Sequence, residues 1–365
     1  MKKDMIKSFC ILCLMGVVAA LPAQEMGFEE YNPVSTLVVP ENPVLRARYP
    51  VVDIHSHHYD MPTKDLSKVV RAMDSLNLAV LVNLSGGFGD FLKRSVKNVR
   101  EHYPNRFVVF ANVDFEGVGE PDWGSRAAAQ LEEDVRSGAV GLKIYKSLGL
   151  RYRDTDGNRI PVDDARLDPV WEKCAELGIP VLIHSADPKS FWDPMDAQNE
   201  RWLELKTRPR RKRSATDPAP WQQIIDEQHR LFQRHPKTTF INAHMGWYAN
   251  NLDKLASLMD ALPNMYVGIG AIIAELGRQP RHAREFFIKY QDRILFGKDS
   301  WQPSEFPTYF RVLETADEYF PYHKKYHAFW AMYGMDLPDT VLKKVYYKNA
   351  LKLLPSLDRS LFPDS

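Results

Sequence analysis

Eight short apolar runs, each followed by a polar or helix-patterned stretch, constrain the fold of this chain more than any other feature. Nearly continuous apolar runs of this length are typical of parallel strands that are covered on both faces. Eight alternating units predict an α/β fold, a single-domain (β/α)8 TIM barrel, rather than an open sheet. The runs span residues 51–54, 78–84, 107–113, 139–145, 180–183, 239–243, 265–269 and 294–296.

Two segments are longer than a minimal barrel requires. A long loop, residues 186–220, follows the fifth strand at the carboxyl ends of the strands, where barrel enzymes carry out their chemistry. Its basic run, residues 208–213, is expected to face water. A C-terminal helical tail over residues 337–354 is expected to cover the outside or the base of the barrel. Between the strands we predict helices over residues 65–76, 123–138, 169–178, 221–235 and 251–262.

The N-terminus has the pattern of a signal peptide. Three lysines precede an apolar run over residues 8–21, which is too short to span a bilayer comfortably. We therefore expect a signal peptide over residues 1–23, a surface lead-in over residues 24–49 and the barrel domain over residues 50–355. This organisation predicts a periplasmic or secreted protein without an integral membrane segment in the mature chain. The mature chain would retain only Cys174, so no intramolecular disulfide is expected.

The charge balance narrows the class of partner. The formal net charge is +1, which lacks the strongly basic character of nucleic-acid-binding proteins. We therefore expect a small-molecule substrate and no nucleic acid. A homodimer is an option only because dimers are frequent among soluble proteins.

Metal-ligand residue types stand at the ends of four predicted strands. His55 and His57 end the first strand and, being two residues apart, point to the same side. His184, His244 and Asp299 follow the fifth, sixth and eighth strands. One strand-terminal histidine is usually structural, but packing does not explain its repetition at matching points of successive units. Imidazole nitrogens and carboxylate oxygens bind zinc and other first-row divalent metals, so the sequence predicts a metal site at this rim.

Several of these strand ends carry recognisable motifs. Asp-Ile-His-Ser-His at 53–57, Ile-His at 183–184, Ala-His-Met-Gly at 243–246 and Phe-Gly-Lys-Asp at 296–299 occur in that order, with a further match at 334–339 and 349–350. Over about residues 50 to 355 the chain resembles the amidohydrolase superfamily. It is most similar to the amidohydrolase-2 branch, which includes decarboxylases related to aminocarboxymuconate-semialdehyde decarboxylase.

The resemblance implies roles for individual residues. His55, His57, His184 and Asp299 would hold one divalent metal ion, zinc in first place, with manganese or iron as alternatives. Asp299 would act as the catalytic base, and His244 would polarise the substrate or act as a general acid.

Two lysines leave alternatives open. Lys143 lies near the position where binuclear relatives place a carboxylated lysine that bridges two metals, and a second ion is expected only in that case. We favour one ion, with Lys143 contacting a substrate carboxylate. Lys298 stands where the family often has a small residue, and it either places a cation beside the site or points outward. We expect Asp53 either to support the site from below or to cap backbone groups. Candidate substrate-pocket residues are Tyr145, Arg151, Trp247, Lys298 and Trp301.

Three functions fit these residues. The first is hydrolysis of an amide, ester or lactone bond in a small exported or scavenged substrate by a metal-activated water, and export favours it. The second is non-oxidative decarboxylation of an aromatic or unsaturated carboxylic acid. The third, a non-catalytic metal-binding protein, fits least because a structural site needs neither His244 nor an open coordination position.

Overall fold

A computed structural model describes residues 26–327 and 329–363 of the chain, so the predicted signal peptide lies outside the described residues. The chain divides into two units, residues 1–35 and 36–365. The described part of the first unit contains a turn in which the amides of Glu30 and Tyr31 donate to the carbonyl of Gly27, at 3.0 and 3.2 Å. Within the described ranges, no helix is both long enough and apolar enough to cross a membrane.

The second unit is built on eight parallel strands, each within or close to one of the predicted apolar runs. They form a three-stranded sheet in the order β1-β2-β3 and a five-stranded sheet in the order β4-β5-β6-β7-β8. Their side chains are almost all buried, as expected for strands covered on both faces. The strands are β1 (Val51–Ser56), β2 (Leu78–Asn83), β3 (Phe107–Val109), β4 (Leu142–Ile144), β5 (Val181–Ile183), β6 (Phe240–Asn242), β7 (Met265–Gly268) and β8 (Ile294–Leu295).

Backbone hydrogen bonds join the two sheets at both edges. Between β3 and β4, the amide of Ala111 donates to Gly141 at 2.8 Å, and the amide of Lys143 donates to Ala111 at 2.8 Å. Between β8 and β1, the amide of Ile54 donates to Phe296 at 3.1 Å. Isolated parallel bridges mark the same two junctions. The eight strands therefore close into a ring, which confirms the predicted (β/α)8 barrel.

Helices connect the strands and cover the ring. All five predicted helices are present, and Gly138 and Gly178 end two of them with φ of 118° and 65°, the left-handed conformation that is typical of a glycine at a helix C-terminus. The helices are α1 (Leu66–Leu76), α2 (Gly89–His102), α3 (Trp123–Ser137), α4 (Ser147–Leu150), α5 (Asp168–Leu177), α6 (Trp202–Thr207), α7 (Trp221–Arg234), α8 (Leu252–Ala261), α9 (Ile273–Gly277), α10 (Pro280–Lys289), α11 (Phe306–Glu314), α12 (Asp339–Lys343) and α13 (Asn349–Leu353).

The long loop after β5 folds on itself through buried polar contacts. The Trp221 indole donates to the Asp187 carbonyl at 2.9 Å, and the Asp187 carboxylate pairs with Arg213 at 2.8 Å. Arg211 pairs with the buried carboxylate of Glu204 on α6. The expectation that the basic run faces water holds for residues 208–211, which are exposed, and is wrong for Arg213, which is partly buried and neutralises the buried carboxylate of Asp187 inside this loop.

The C-terminal tail packs against β8. A short hairpin, β9 (Phe320–Pro321) and β10 (Ala331–Met332), precedes α12, and a π-helical turn (Lys344–Lys348) joins α12 to α13. The amide of Phe296 donates to the carbonyl of Val345 at 2.9 Å, and the Asn349 side chain donates to the carbonyl of Ile294 at 2.8 Å. The tail therefore holds in place β8, the strand that precedes Asp299 in the chain.

Candidate metal centre

The carboxyl ends of β1 and β8 bring three of the predicted ligands together. His55 Nε2 and His57 Nε2 lie 3.3 and 3.6 Å from Asp299 Oδ1. In the described part of the chain, these are the residues whose candidate ligand atoms all lie within 4.8 Å of one another. His55 is fully buried, whereas the Asp299 side chain is 35% exposed, so the cluster is open on the carboxylate side.

The backbone at this junction is fixed from below by Asp53. Its Oδ1 accepts hydrogen bonds from the amides of His55 at 2.9 Å and Lys298 at 3.1 Å, which ties the end of β1 to the end of β8. Asp299 has a φ of 85° and donates its amide to the His55 carbonyl at 2.7 Å. Asp53 thus caps backbone amides, one of the two roles expected for it, and holds the two segments that carry His55 and Asp299.

A chain of hydrogen bonds sets the tautomer of His57. The Tyr145 hydroxyl donates to the Leu84 carbonyl at 3.1 Å, because a carbonyl can only accept. Ser85 then donates to the Tyr145 oxygen at 2.9 Å and accepts from His57 Nδ1 at 2.8 Å. With its proton on Nδ1, a neutral His57 carries its lone pair on Nε2, the atom nearest to Asp299.

A second chain of the same kind sets the tautomer of His184. His244 Nδ1 donates to the Gly270 carbonyl at 2.6 Å, so the Nε2 of a neutral His244 must accept. That nitrogen lies 3.2 Å from His184 Nδ1, which is then the donor. The lone pair of His184 is left on Nε2, which is buried and has no hydrogen-bond partner among the described residues. His184 lies outside the three-residue group but adjoins it through His244, whose ring centroid is 5.0 Å from that of His55.

Burial keeps these imidazoles in the uncharged form. It lowers the pKa of His57 to about 2 and that of His244 to about 3, and it also lowers the pKa of His55 and His184. The neutral imidazole is the form that binds a metal ion. Burial therefore keeps the imidazoles neutral, and the hydrogen bonds leave the lone pairs of His57 and His184 on Nε2, where a metal ion could bind.

His244 begins an unusual left-handed turn. His244, Met245, Gly246 and Trp247 have φ values of 56°, 50°, 60° and 62°. Left-handed conformations cost L-residues about 1–2 kcal/mol each, and such strain is concentrated at functional sites. The turn stacks the Trp247 ring on His244 at 4.5 Å between centroids, and the Trp247 indole donates to the Ser185 carbonyl at 3.0 Å.

Lys143, on β4, is buried in the barrel with no hydrogen-bond partner for Nζ among the residues described. Burial lowers its pKa to about 7, although the negative charge of Asp299 opposes this shift. Its Nζ lies 5.5 Å from the centroid of the Tyr145 ring. An unpartnered buried amine is costly, so it marks a place where an acceptor or an anion would be stabilised.

The remaining predicted pocket residues are divided. Trp247 contacts the cluster, and Tyr145 belongs to it through Ser85. The Lys298 ammonium is buried but pairs with Glu305 and Ser300 rather than facing outward or standing free. Trp301 packs on Phe306 and on the ring of His58. His58 Nε2 is hydrogen-bonded to the Ser56 hydroxyl. Arg151 is exposed, and no side-chain contact with another described residue brings it to the cluster.

Ser85 and Gly270 hold two of the histidines in place, and the sequence did not identify either of them as a site residue. Both follow a strand, as the predicted ligands do, but a serine or a glycine after a strand carries no chemical signature. Only the contacts of Ser85 with His57 and of Gly270 with His244 reveal their roles.

The donor set fits a divalent metal ion. Nε2 atoms of His55 and His184 are buried without hydrogen-bond partners in the described ranges, and the Asp299 carboxylate lies beside His55. Three imidazoles and a carboxylate form a ligand set for a first-row divalent ion. Further contacts orient the three histidines, as is usual around metals: the Nδ1 atoms of His57 and His184 and the backbone amide of His55 are hydrogen-bonded.

A family model described as Amidohydrolase (Amidohydro_2) matches residues 40–356. The chain belongs to this amidohydrolase family. It is accordingly an enzyme, and the match covers the whole barrel and both chain segments that carry the cluster. The search of the curated proteins finds no match.

Solved structures show the same fold at low sequence identity. A dihydroxybenzoic acid decarboxylase from Polaromonas sp. JS666, with bound manganese and the inhibitor 2-nitroresorcinol, has a TM-score of 0.55 at 15% identity, covering 86% of this chain and 99% of that one. A 2,6-dihydroxybenzoate decarboxylase from Rhizobium scores 0.52 at 15% identity, covering 84% and 99%. A putative amidohydrolase from Staphylococcus aureus scores 0.51 at 18% identity, covering 84% and 99%.

Proposed function

We propose that this enzyme is a metal-dependent lyase that removes carbon dioxide from an aromatic or unsaturated carboxylic acid. The buried, unpartnered amine of Lys143 beside the metal-ligand cluster is the observation that carries the proposal. A substrate carboxylate would supply the anion that this amine lacks. Solved decarboxylases of the same fold support this reaction more than the hydrolysis that the sequence favoured.

In this proposal His55, His57, His184 and Asp299 hold one divalent ion. When bound, the ion supplies an electrophile that binds substrate oxygen atoms and withdraws electron density. Ser85 and His244 orient two of the imidazoles through the hydrogen bonds described above. Because its Nε2 is already engaged by His184, His244 acts as a positioning residue rather than as a proton donor to the substrate.

The reaction needs one proton and no other reactant. The bond between the carboxylate carbon and the adjacent unsaturated carbon breaks, its electron pair stays on the unsaturated carbon, and carbon dioxide leaves. That carbon takes up a proton. Asp299, one-third exposed and inside the cluster, is placed to take this proton from solvent and deliver it. Lys143 binds the carboxylate before it leaves.

Hydrolysis of an amide, ester or lactone is the second candidate. The observation that favours it is the same exposure of Asp299, because hydrolysis requires water to reach the carboxylate that activates it. Water consumption without release of carbon dioxide distinguishes this reaction from decarboxylation.

Chelation and reconstitution test both the metal and the reaction. We expect loss of activity after treatment with a chelator and recovery with zinc or manganese at one ion per chain. In heavy water, 2,6-dihydroxybenzoate and related acids should release carbon dioxide and gain one deuterium at the carbon that carried the carboxylate, measured by mass spectrometry. Turnover of esters or lactones, with none of the acids, would establish hydrolysis instead.

Replacing Lys143 by methionine should reduce activity without reducing stability. The change removes a buried amine without a partner, so the melting temperature should not fall. The loss of a charged hydrogen bond to the substrate should raise KM about tenfold or more. Metal content should stay at one ion per chain, whereas loss of a second ion would show that Lys143 is carboxylated and bridges two metals.

A further inference from the structure

The peptide group between Gly270 and Ala271, in the segment that follows β7, is hydrogen-bonded at both of its ends. Its carbonyl accepts from His244 Nδ1 at 2.6 Å, and its amide donates to the hydroxyl oxygen of Tyr309 at 3.0 Å. Among the described residues, each of these is the only hydrogen bond that the carbonyl or the amide makes. Because the carbonyl and the amide of one peptide group lie in one plane, the bond to Tyr309 fixes the direction in which the carbonyl points.

This peptide group lies directly against the metal-ligand cluster. A Cβ atom added at Gly270 would lie 3.1 Å from His55 Nδ1 and 3.6 Å from the Cβ of Asp299, so the backbone approaches both residues closely. Ala271 has a φ of 57°, a left-handed conformation that an alanine keeps only where the surrounding contacts impose it. The orientation of the peptide group is therefore set by its neighbours, and a change in it would reach His244, His55 and Asp299.

Tyr309 is a rigid and uncharged anchor for this peptide group. It lies on α11 and is fully buried, and the edge of its ring packs on Phe296 with 5.9 Å between the ring centroids. Burial raises the pKa of Tyr309 well above its usual value, and the negative charge of Asp299 raises it further. The hydroxyl group therefore stays protonated, and its oxygen accepts the hydrogen bond from Ala271 as a neutral phenol.

We propose that Tyr309 is a positioning residue that orients His244 and, through it, His184. Without the Tyr309 hydroxyl, the buried amide of Ala271 loses its acceptor, and the peptide group is expected to turn towards another one. Its carbonyl then no longer holds the proton of His244 on Nδ1, so His244 Nε2 no longer has to accept from His184 Nδ1, 3.2 Å away. That this matters for a bound metal ion rests on the proposed function, whereas the orientation of the two rings does not.

Tyr309→Phe removes the hydroxyl and keeps the ring, and two measurements test its effect. NMR of the metal-free enzyme labelled with ¹⁵N-histidine shows which ring nitrogen carries the proton, and we expect Nδ1 for both His184 and His244 in the wild type. In Tyr309→Phe the signals of both rings should shift, with part of the His244 proton on Nε2. The Kd for zinc, measured by competition with a chelator, should rise about 10- to 100-fold, the usual effect of losing a contact that orients a metal ligand. The visible spectrum of the cobalt-loaded enzyme should change as well.

Tyr346→Phe is the matched control. Tyr346 is also fully buried and also packs on Phe296, but its hydroxyl donates to Glu314 at 2.8 Å instead of accepting from Ala271. This variant should lose stability as well, yet keep the histidine signals, the Kd for zinc and the cobalt spectrum of the wild type. Unchanged histidine signals in Tyr309→Phe, or equal changes in the two variants, would overturn the proposal.

The wild-type enzyme covers the case in which Tyr309→Phe does not fold. The Ala271 amide should exchange slowly with heavy water, and both histidine protons should be on Nδ1. Fast exchange at Ala271, or a proton on Nε2 of His244, would contradict the proposal. Because these signals are recorded without metal or substrate, a failed decarboxylation assay, or a wild-type enzyme that binds no zinc, would reject the proposed function and leave the role of Tyr309 in orienting His244 supported by the NMR result.

Discussion

Replacement of Asp299 by asparagine is expected to lower kcat about 10³-fold, within the range found for general acid–base groups. Asparagine keeps the shape of the side chain, and its backbone amide still donates to the His55 carbonyl. It cannot carry the proton that either proposed reaction requires, and it is a weaker metal ligand. Steady-state kinetics with metal content measured on the same sample would separate these two losses.

The matched control is Asp156→Asn, which makes the same chemical change at an exposed turn and should leave kcat unchanged. Circular dichroism should show the same fold for both variants. If Asp299→Asn kept its metal and more than about a tenth of its activity, a factor that corresponds to only about 1.4 kcal/mol, Asp299 would not be the proton carrier.

Replacement of Gly246 by alanine should strongly reduce the stability of the enzyme. Gly246 has a φ of 60°, and a Cβ atom there would lie 2.4 Å from Asn242 Nδ2. The left-handed backbone costs about 1–2 kcal/mol for alanine, and relief of the clash about 1–3 kcal/mol more. We expect the free energy of unfolding, measured with urea, to fall by about 2–5 kcal/mol as the sum of these effects.

Gly157→Ala separates backbone strain from the clash. Gly157 has a φ of 82°, but a Cβ atom there would meet nothing within 4 Å, so only the strain remains. Gly246→Ala should also lower kcat about 10²-fold, because a shift of about 1 Å in a positioning group can cost that much. Equal losses of stability in the two variants, with activity retained in Gly246→Ala, would show that the turn does not position His244.

The barrel could be predicted because its signal is repeated along the chain. Each strand is an apolar run and two of the predicted helices end in glycine, so the alternation is visible without any tertiary contact. The long loop after β5 carried no such period, because its stability comes from specific pairs such as Arg213 with Asp187. Pairs of this kind join residues that are far apart in sequence, and composition alone cannot match them.

The candidate site was predictable only where residue type signals chemistry. Histidines at strand ends indicated the cluster, and the structure brings His55, His57 and Asp299 together. The direction in which each side chain points was not predictable, because it depends on the atoms that the side chain contacts in the folded protein. Tyr145 supports His57 through Ser85, and Arg151 faces solvent.

The junction of β1 with β8 has a consequence for how the enzyme is made. Asp53 binds the amide of Lys298 across 245 residues of sequence, and this bond fixes the segments that bear His55 and Asp299. Contacts between such distant residues form late, since closing a long loop costs entropy before it brings any stabilisation. A ribosome must therefore synthesise almost the entire barrel before a reactive centre can exist, and an unfinished or C-terminally truncated chain holds no active cluster.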